Sequence, residues 1–374
     1  MAAVRKKLLA WYDRNARDLP WRHTRDPYAI WVSEVMLQQT RVDTVIPYYV
    51  RFLQRFPSPD ALAKADEDKV LSCWSGLGYY RRARLLHAGV REVVARYGGK
   101  VPEDADARRA LPGVGRYTAG AIGSIAFDKE EAVVDGNVAR VLARLFRIDT
   151  PIGASTTTKR LWDEAGRLIP GERPGALNQA LMELGATLCT PKHPNCGSCP
   201  VLEDCGAHGH REVERLPVAG RRKAPTQMNL AAVIATRGRA LEQEIWLVRS
   251  QQGLFGGLWG LPMIRRDQFD DADPRRALHD ACISARLNRE PIGRVEHILT
   301  HRQLQIDLFR ATAAKGEETE TRRRFAQAEL GSVGISALTK KLLASSSFRR
   351  APGHTSSNAV AGADADPARS GAGD

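Results

Sequence analysis

Glu34 sits in AIWVSEVMLQQT, a run whose apolar side chains surround most of a helix's girth. A carboxyl in such a helix is buried or lines a cleft. Loss of water raises its pKa and keeps the proton in place, which is what a general acid requires. Asp135 lies in Val-Val-Asp-Gly-Asn-Val, just ahead of Val138, Val141, Leu142, Leu145 and Phe146 at helical spacing. That position caps a helix, where free amides should hold a carboxylate ionised. One acid that keeps its proton beside one that loses it is the assignment used by enzymes that cleave glycosidic bonds through a cationic sugar. Most helix acids are simply solvated; the apolar neighbours of Glu34 are what set it apart.

A second set of chemistry-bearing residues is Cys189, Cys196, Cys199 and Cys205, spaced C-x6-C-x2-C-x5-C within 17 residues that also hold three prolines. Four thiolates this close suggest a metal, and zinc or an iron-sulfur cluster would both suit them. With six cysteines in all and no secretory signal at the start, the chain reads as one from a reducing compartment.

The elements that must position these groups can be read in part. Asp26-Pro27 is a helix start that leads into the Glu34 run. A short helical run, 104–110, precedes Leu-Pro-Gly-Val-Gly (111–115), and a longer one, 116–127, follows it. Proline and two glycines make a helix-to-helix hairpin, and the amides of Gly113, Val114 and Gly115 would face outward at a helix N-terminus, where a phosphate is favoured. Between the two acids, GLGYYRRARLL (76–86) fits a phosphate-contacting helix entered through a glycine turn, or equally a core aromatic pair with a solvated basic face. Residues 213–227 lose periodicity and turn basic and proline-containing, as a linker does, with a charge suited to lying along a polyanion. Beyond it NLAAVIAT, EIWLVRS and GLFGGLWGLP read as strands of a second, sheet-containing domain. From about Ser345 the composition is that of a disordered tail.

The net charge of +13 favours a polyanionic partner. It is spread along the chain, with 32 Lys and Arg against 26 acids through Gly220 and 24 against 17 after it, as expected if both halves touch the same polymer. No apolar run approaches a membrane-spanning length.

The order of hairpin, helix and Asp at a helix start resembles the helix-hairpin-helix DNA glycosylases. Lyase members of that superfamily carry a lysine two residues after the second turn glycine; here that residue is Tyr117, so no Schiff base can form. Together with SEVMLQQT, this makes the chain similar to the adenine DNA glycosylases, the MutY family. The resemblance implies a mostly α N-terminal glycosylase domain (1–212) with a four-cysteine iron-sulfur loop (189–205), a linker (213–227), an α+β Nudix-like recognition domain (228–344) and a disordered tail (345–374). It implies a [4Fe-4S] cluster on the four cysteines. It also implies hydrolysis of adenine from double-stranded DNA, opposite 8-oxoguanine or guanine, by a cytoplasmic monomer with no membrane contact. Glu34 would protonate the adenine and Asp135 would stabilise the sugar cation, with Tyr117 and Asn137 beside the sugar and the attacking water. Trp21, Arg22 and Gln179 would line the adenine pocket. Tyr79 would wedge into the base stack, and Gln39 would fill space on its opposite side. Leu299, Thr300 and His301 stand where the family senses 8-oxoguanine, with leucine replacing the usual aromatic residue. The metal-binding glutamate core of Nudix hydrolases is missing after Pro262, so the second domain should recognise rather than hydrolyse. Rival readings are a glycosylase-lyase, which Tyr117 opposes, and a non-catalytic iron-sulfur protein that binds DNA damage, which the retained Glu34 and Asp135 oppose.

Overall fold

The computed structural model describes residues 1–220, 224–238, 243–251, 255–266, 273–299 and 301–346. The first part is helical: α1 (Ala2–Asn15), α2 (Pro27–Leu37), α3 (Val42–Arg55), α4 (Pro59–Ala63), α5 (Glu67–Cys73), α6 (Arg81–Tyr97), α7 (Ala105–Ala110), α8 (Arg116–Phe127), α9 (Gly136–Leu145), α10 (Ser155–Leu168), α11 (Pro174–Thr187) and α12 (Gly206–Gly209). These helices pack around two separate cores. One gathers α2, α3, α6 and α8 about Trp31, Phe52 and Trp74; the other gathers α1, α9, α10 and α11 about Leu8, Leu142 and Leu181.

Local chemistry explains the helix bounds nearest the site. Asp26 caps α2 by accepting from the Tyr28 amide at 3.0 Å, with Pro27 in the first turn. That helix stops at Leu37, short of the Thr40 that its sequence pattern reaches. The carbonyls of Val35 and Met36 are taken up by the Arg82 guanidinium at 2.8 and 2.9 Å, and Gln39 turns to φ 56°. Arg82 therefore ends a helix. Asp104 caps α7, and the turn into α8 places Gly113 at φ +76°, where an added Cβ would lie 2.6 Å from Leu85.

The second part is built on an eight-stranded mixed sheet, β1 (Thr226–Arg237), β2 (Glu244–Arg249), β3 (Trp259–Gly260), β4 (Met263–Arg265), β5 (Ser284–Leu287), β6 (Gly293–Leu299), β7 (Arg302–Lys315) and β8 (Arg322–Ala326), with α13 (Arg275–Asp280) and α14 (Ala337–Ser345). Its spine is the parallel pair β1–β7, in register from Thr226 with Arg302 to Ala235 with Ala311. β1 is apolar on both faces because α14 contributes to the core on one side and α13 to that on the other. Ahead of β1, Leu216 is buried and its carbonyl accepts from Arg144 Nε at 2.8 Å, so the start of the expected linker is packed against α9. The expected tail mostly falls outside the described residues; Ser345 ends α14 and Ser346 is buried, so ordered structure reaches slightly past the compositional boundary. Among the described residues, no helix is long and apolar enough to cross a membrane.

Candidate active site

A cavity of about 510 Å³ opens between the two helical cores. It brings together Glu34, Tyr117, Asp135, Asn137, Trp21, Arg22, Gln179 and Gln39, eight residues that are widely scattered along the chain.

Glu34 comes from α2, is 4% exposed, and has its Oε2 bonded by the Tyr117 hydroxyl at 2.6 Å. Burial pushes its pKa up to about 7; the bond from Tyr117 opposes that rise, and the nearby charge of Asp135 adds to it. Near neutral pH about half of such a group keeps its proton. Tyr117, from the first turn of α8, is itself pushed well above the usual phenol range, first by burial and then by the charge of Glu34.

Asp135 caps α9 as its position implies, accepting from the Val138 amide at 2.7 Å and from Asn137 Nδ2 at 3.4 Å. Its shift nonetheless runs upward. Burial raises it, and this outweighs the opposing bonds from the Val138 and Asn137 amides. Both acids are thus raised, Glu34 to about 7. Asn137 Oδ1 accepts from Arg140 at 2.8 Å, and Arg140 also reaches the Cys189 carbonyl at 2.8 Å, so the start of α9 is braced from its own second turn.

Trp21 is buried edge-on to Tyr49, with ring centroids 5.5 Å apart. Arg22 and Arg17 both bond Glu183, at 2.7 and 2.9 Å to Oε2. Gln179 accepts from the Tyr12 hydroxyl at 3.2 Å. Glu183 is a cavity-lining residue that sequence reasoning missed. Its signal was the one used for Glu34, an acid flanked by Leu181, Met182 and Leu184 in an apolar helix. Although it is buried, the two guanidiniums hold its carboxyl down to about 2.

Other sequence-predicted residues lie outside this cavity. Tyr79 is exposed, at φ 48° on the turn before α6, and the Arg82 guanidinium lies 5.3 Å from its ring centroid. In the hairpin turn Val114 donates its amide to the Leu111 carbonyl at 3.1 Å, so it is not a free donor; Gly115 caps α8. Leu299 and Arg302 pair across a tight β6–β7 hairpin, with Leu299 packed toward the sheet core and His301 exposed. Thr300 lies outside the described residues.

The four cysteines follow α11, and all are partly buried. Arg144 Nη1 bonds Cys189 Sγ at 3.3 Å. Burial pushes the Cys199 thiol up to about 11, and the charges of Cys189, Cys205 and Cys196 add to that. An all-sulfur set that repels its own ionisation fits a thiophilic metal or cluster, which would supply the compensating charge. Among the described residues, no group of three or more His, Cys, Asp or Glu is set at metal-holding spacing.

Residues 32–166 match the HhH-GPD superfamily of base excision DNA repair proteins, and residues 232–345 match the NUDIX domain. The adenine DNA glycosylase of Rattus norvegicus is 40% identical over 362 residues, 83% of this chain and 70% of the rat protein. The one from Homo sapiens is 36% identical over 402 residues, covering 91% and 73%. A thermostable thymine-DNA glycosylase of known structure is 32% identical with a TM-score of 0.50, over 56% of this chain and 96% of that one. The first class is therefore a helix-hairpin-helix base excision repair protein with a Nudix-like second domain. Within it, the chain belongs to the adenine DNA glycosylase family. It is a DNA N-glycosylase, a hydrolase of N-glycosyl bonds.

Proposed function

We propose that the protein is a monofunctional glycosylase that hydrolyses adenine opposite 8-oxoguanine or guanine, with the cavity between the two helical cores receiving the extruded adenosine. The carrying observation is that Glu34 and Asp135 share that cavity within electrostatic reach, with Glu34 raised to about 7. Protonated Glu34 gives its proton to adenine N7, so the bond from the base to sugar C1′ breaks with its electrons going to the base. Asp135 stabilises the cationic sugar that remains, either as a fixed charge or as a transient nucleophile. Asn137 and Tyr117 stand by the sugar and the water that adds to C1′. Trp21, Arg22 and Gln179 form the wall for the base.

In this reading Tyr79 wedges into the stack and Gln39 fills space on its other side, holding the base out. Gly113 and Gly115 present backbone donors to a phosphate, with Val114 shaping the turn. Leu299, Thr300 and His301 read the opposite base, the hydroxyl and imidazole by hydrogen bonds. Cys189, Cys196, Cys199 and Cys205 would hold a [4Fe-4S] cluster, which when bound crosslinks a loop with little core of its own. The protein acts as a cytoplasmic monomer on double-stranded DNA.

The test is release of free adenine from an A:8-oxoguanine duplex, with the strand left intact until alkali is added. A nick without alkali would turn the reading to a glycosylase-lyase. Binding without release would turn it to a damage-binding protein.

A further inference from the structure

The turn that carries Tyr79 is fastened from two sides. Within its own domain, Gly76 sits at φ +115° and Gly78 at φ +72°, and Trp74 Nε1 and Arg82 Nη2 reach the Gly78 carbonyl at 3.2 and 3.3 Å. From the sheet domain, Lys340 Nζ on α14 donates to Ser75 Oγ at 2.7 Å. Ser75 Oγ and the Tyr80 hydroxyl both donate to the Ile335 carbonyl, at 3.4 and 3.1 Å, and the Gly76 amide donates to that same Tyr80 hydroxyl at 3.3 Å. The residues immediately before and after 76–79 are thus anchored on the second domain. A separate tie, Arg249 to Asp68 and Glu67 at 3.1 and 3.3 Å, joins the two domains at the start of α5 without touching the turn.

A turn with consecutive left-handed residues has several accessible shapes, and its external anchors decide which one is populated. Both anchors from the second domain come from the 335–340 stretch, which packs on the sheet that holds the β6–β7 hairpin. Lys341 of α14 donates to the Glu296 carbonyl of β6 at 2.6 Å. A continuous set of contacts therefore runs from the hairpin, through α14, to the Tyr79 turn.

We propose that Lys340, acting through Ser75, is a positioning residue that couples the seating of the second domain on the opposite base to the placement of Tyr79. This rests on the reading above of Tyr79 as the wedge and of the β6–β7 hairpin as the sensor. Lys340 touches neither the substrate nor the cavity. Its effect is on discrimination, because it conveys which base the hairpin has met.

The test uses the full chain and two readouts. The first is the fluorescence of 2-aminopurine replacing the target adenine, which rises on extrusion. The second is the ratio of single-turnover rates on A:8-oxoguanine and A:G duplexes. Lys340→Ala should lower that ratio by about tenfold, the scale of one charged hydrogen bond, and weaken the fluorescence rise opposite 8-oxoguanine while the melting temperature holds. Lys340→Arg should restore most of both, and Ser75→Ala combined with Lys340→Ala should add little to either alone. Arg249→Ala loosens domain docking away from the turn and should leave the ratio near its original value. An unchanged ratio in Lys340→Ala, or an equal fall in Arg249→Ala, overturns the coupling. Tyr79→Ala separates the two failures. If it leaves the fluorescence rise intact, the wedge reading falls and this coupling falls with it. If it abolishes the rise while Lys340→Ala does not change the ratio, only the coupling is wrong.

Discussion

Two walls of the same cavity each carry a buried glutamate, and the two are shifted in opposite directions. Glu34 on α2 is raised to about 7, and Glu183 on α11 is held at about 2. Exposure does not separate them, at 4% and 1%. What differs is the company: a phenol hydroxyl for one, and the guanidiniums of Arg17 and Arg22 for the other. A carboxyl that loses water without gaining a cation keeps its proton, whereas one that gains two stays an anion and serves as a fixed anchor. The cavity can therefore hold a proton donor and a permanent negative charge at once.

The first way to break this comparison is to remove charge where the sugar cation forms. Asp135→Asn should slow single-turnover adenine release on the order of a thousandfold or more while duplex affinity stays nearly unchanged, the pattern of an interaction made mainly in the transition state. A variant that turns over normally would remove Asp135 from the chemistry. The next effect in size concerns Glu34. With Glu34 in its proposed role of proton donor, the rate should fall as pH rises through about 7, by about tenfold per unit once past it. Because the bond from Tyr117 lowers the Glu34 pKa, Tyr117→Phe should move that limb to higher pH. A downward or absent movement would show that another group sets the limb. The smallest effect on chemistry belongs to the clamped wall. Glu183→Gln leaves two guanidiniums without their partner and should cost about 3 kcal/mol of stability, read by denaturant unfolding, with KM raised more than kcat is lowered. A large kcat loss at unchanged stability would make Glu183 a participant rather than an anchor.

Much of the reacting wall was legible in the sequence because its signals are local. The Asp26-Pro27 cap, the bounds of α8 and the capping role of Asp135 each depend on residues within one turn, and the structure reproduces them. The burial of Glu34 followed from a helix whose residues from Tyr28 to Met36 are all buried. The clamped wall was not legible, because Arg22 meets Glu183 from 161 positions away. The same holds for Arg82, whose carbonyl partners on α2 lie 46 and 47 positions back. For Asp135 the cap was readable but its burial was not, and burial decides the sign of its shift. Leu299 faces inward because the pairing of Leu299 with Arg302 fixes the hairpin register, a fact set by two strands rather than one.

Glu34 belongs to a helix of the core built about Trp31 and Trp74, while Asp135 heads a helix of the core built about Leu142 and Leu181. The two acids thus sit on different cores, which α8 joins by packing against both α2 and α11. A side chain added at Gly175 would clash with the Ser124 carbonyl of α8, so the gap between the two acids depends on that close approach of α11 to α8.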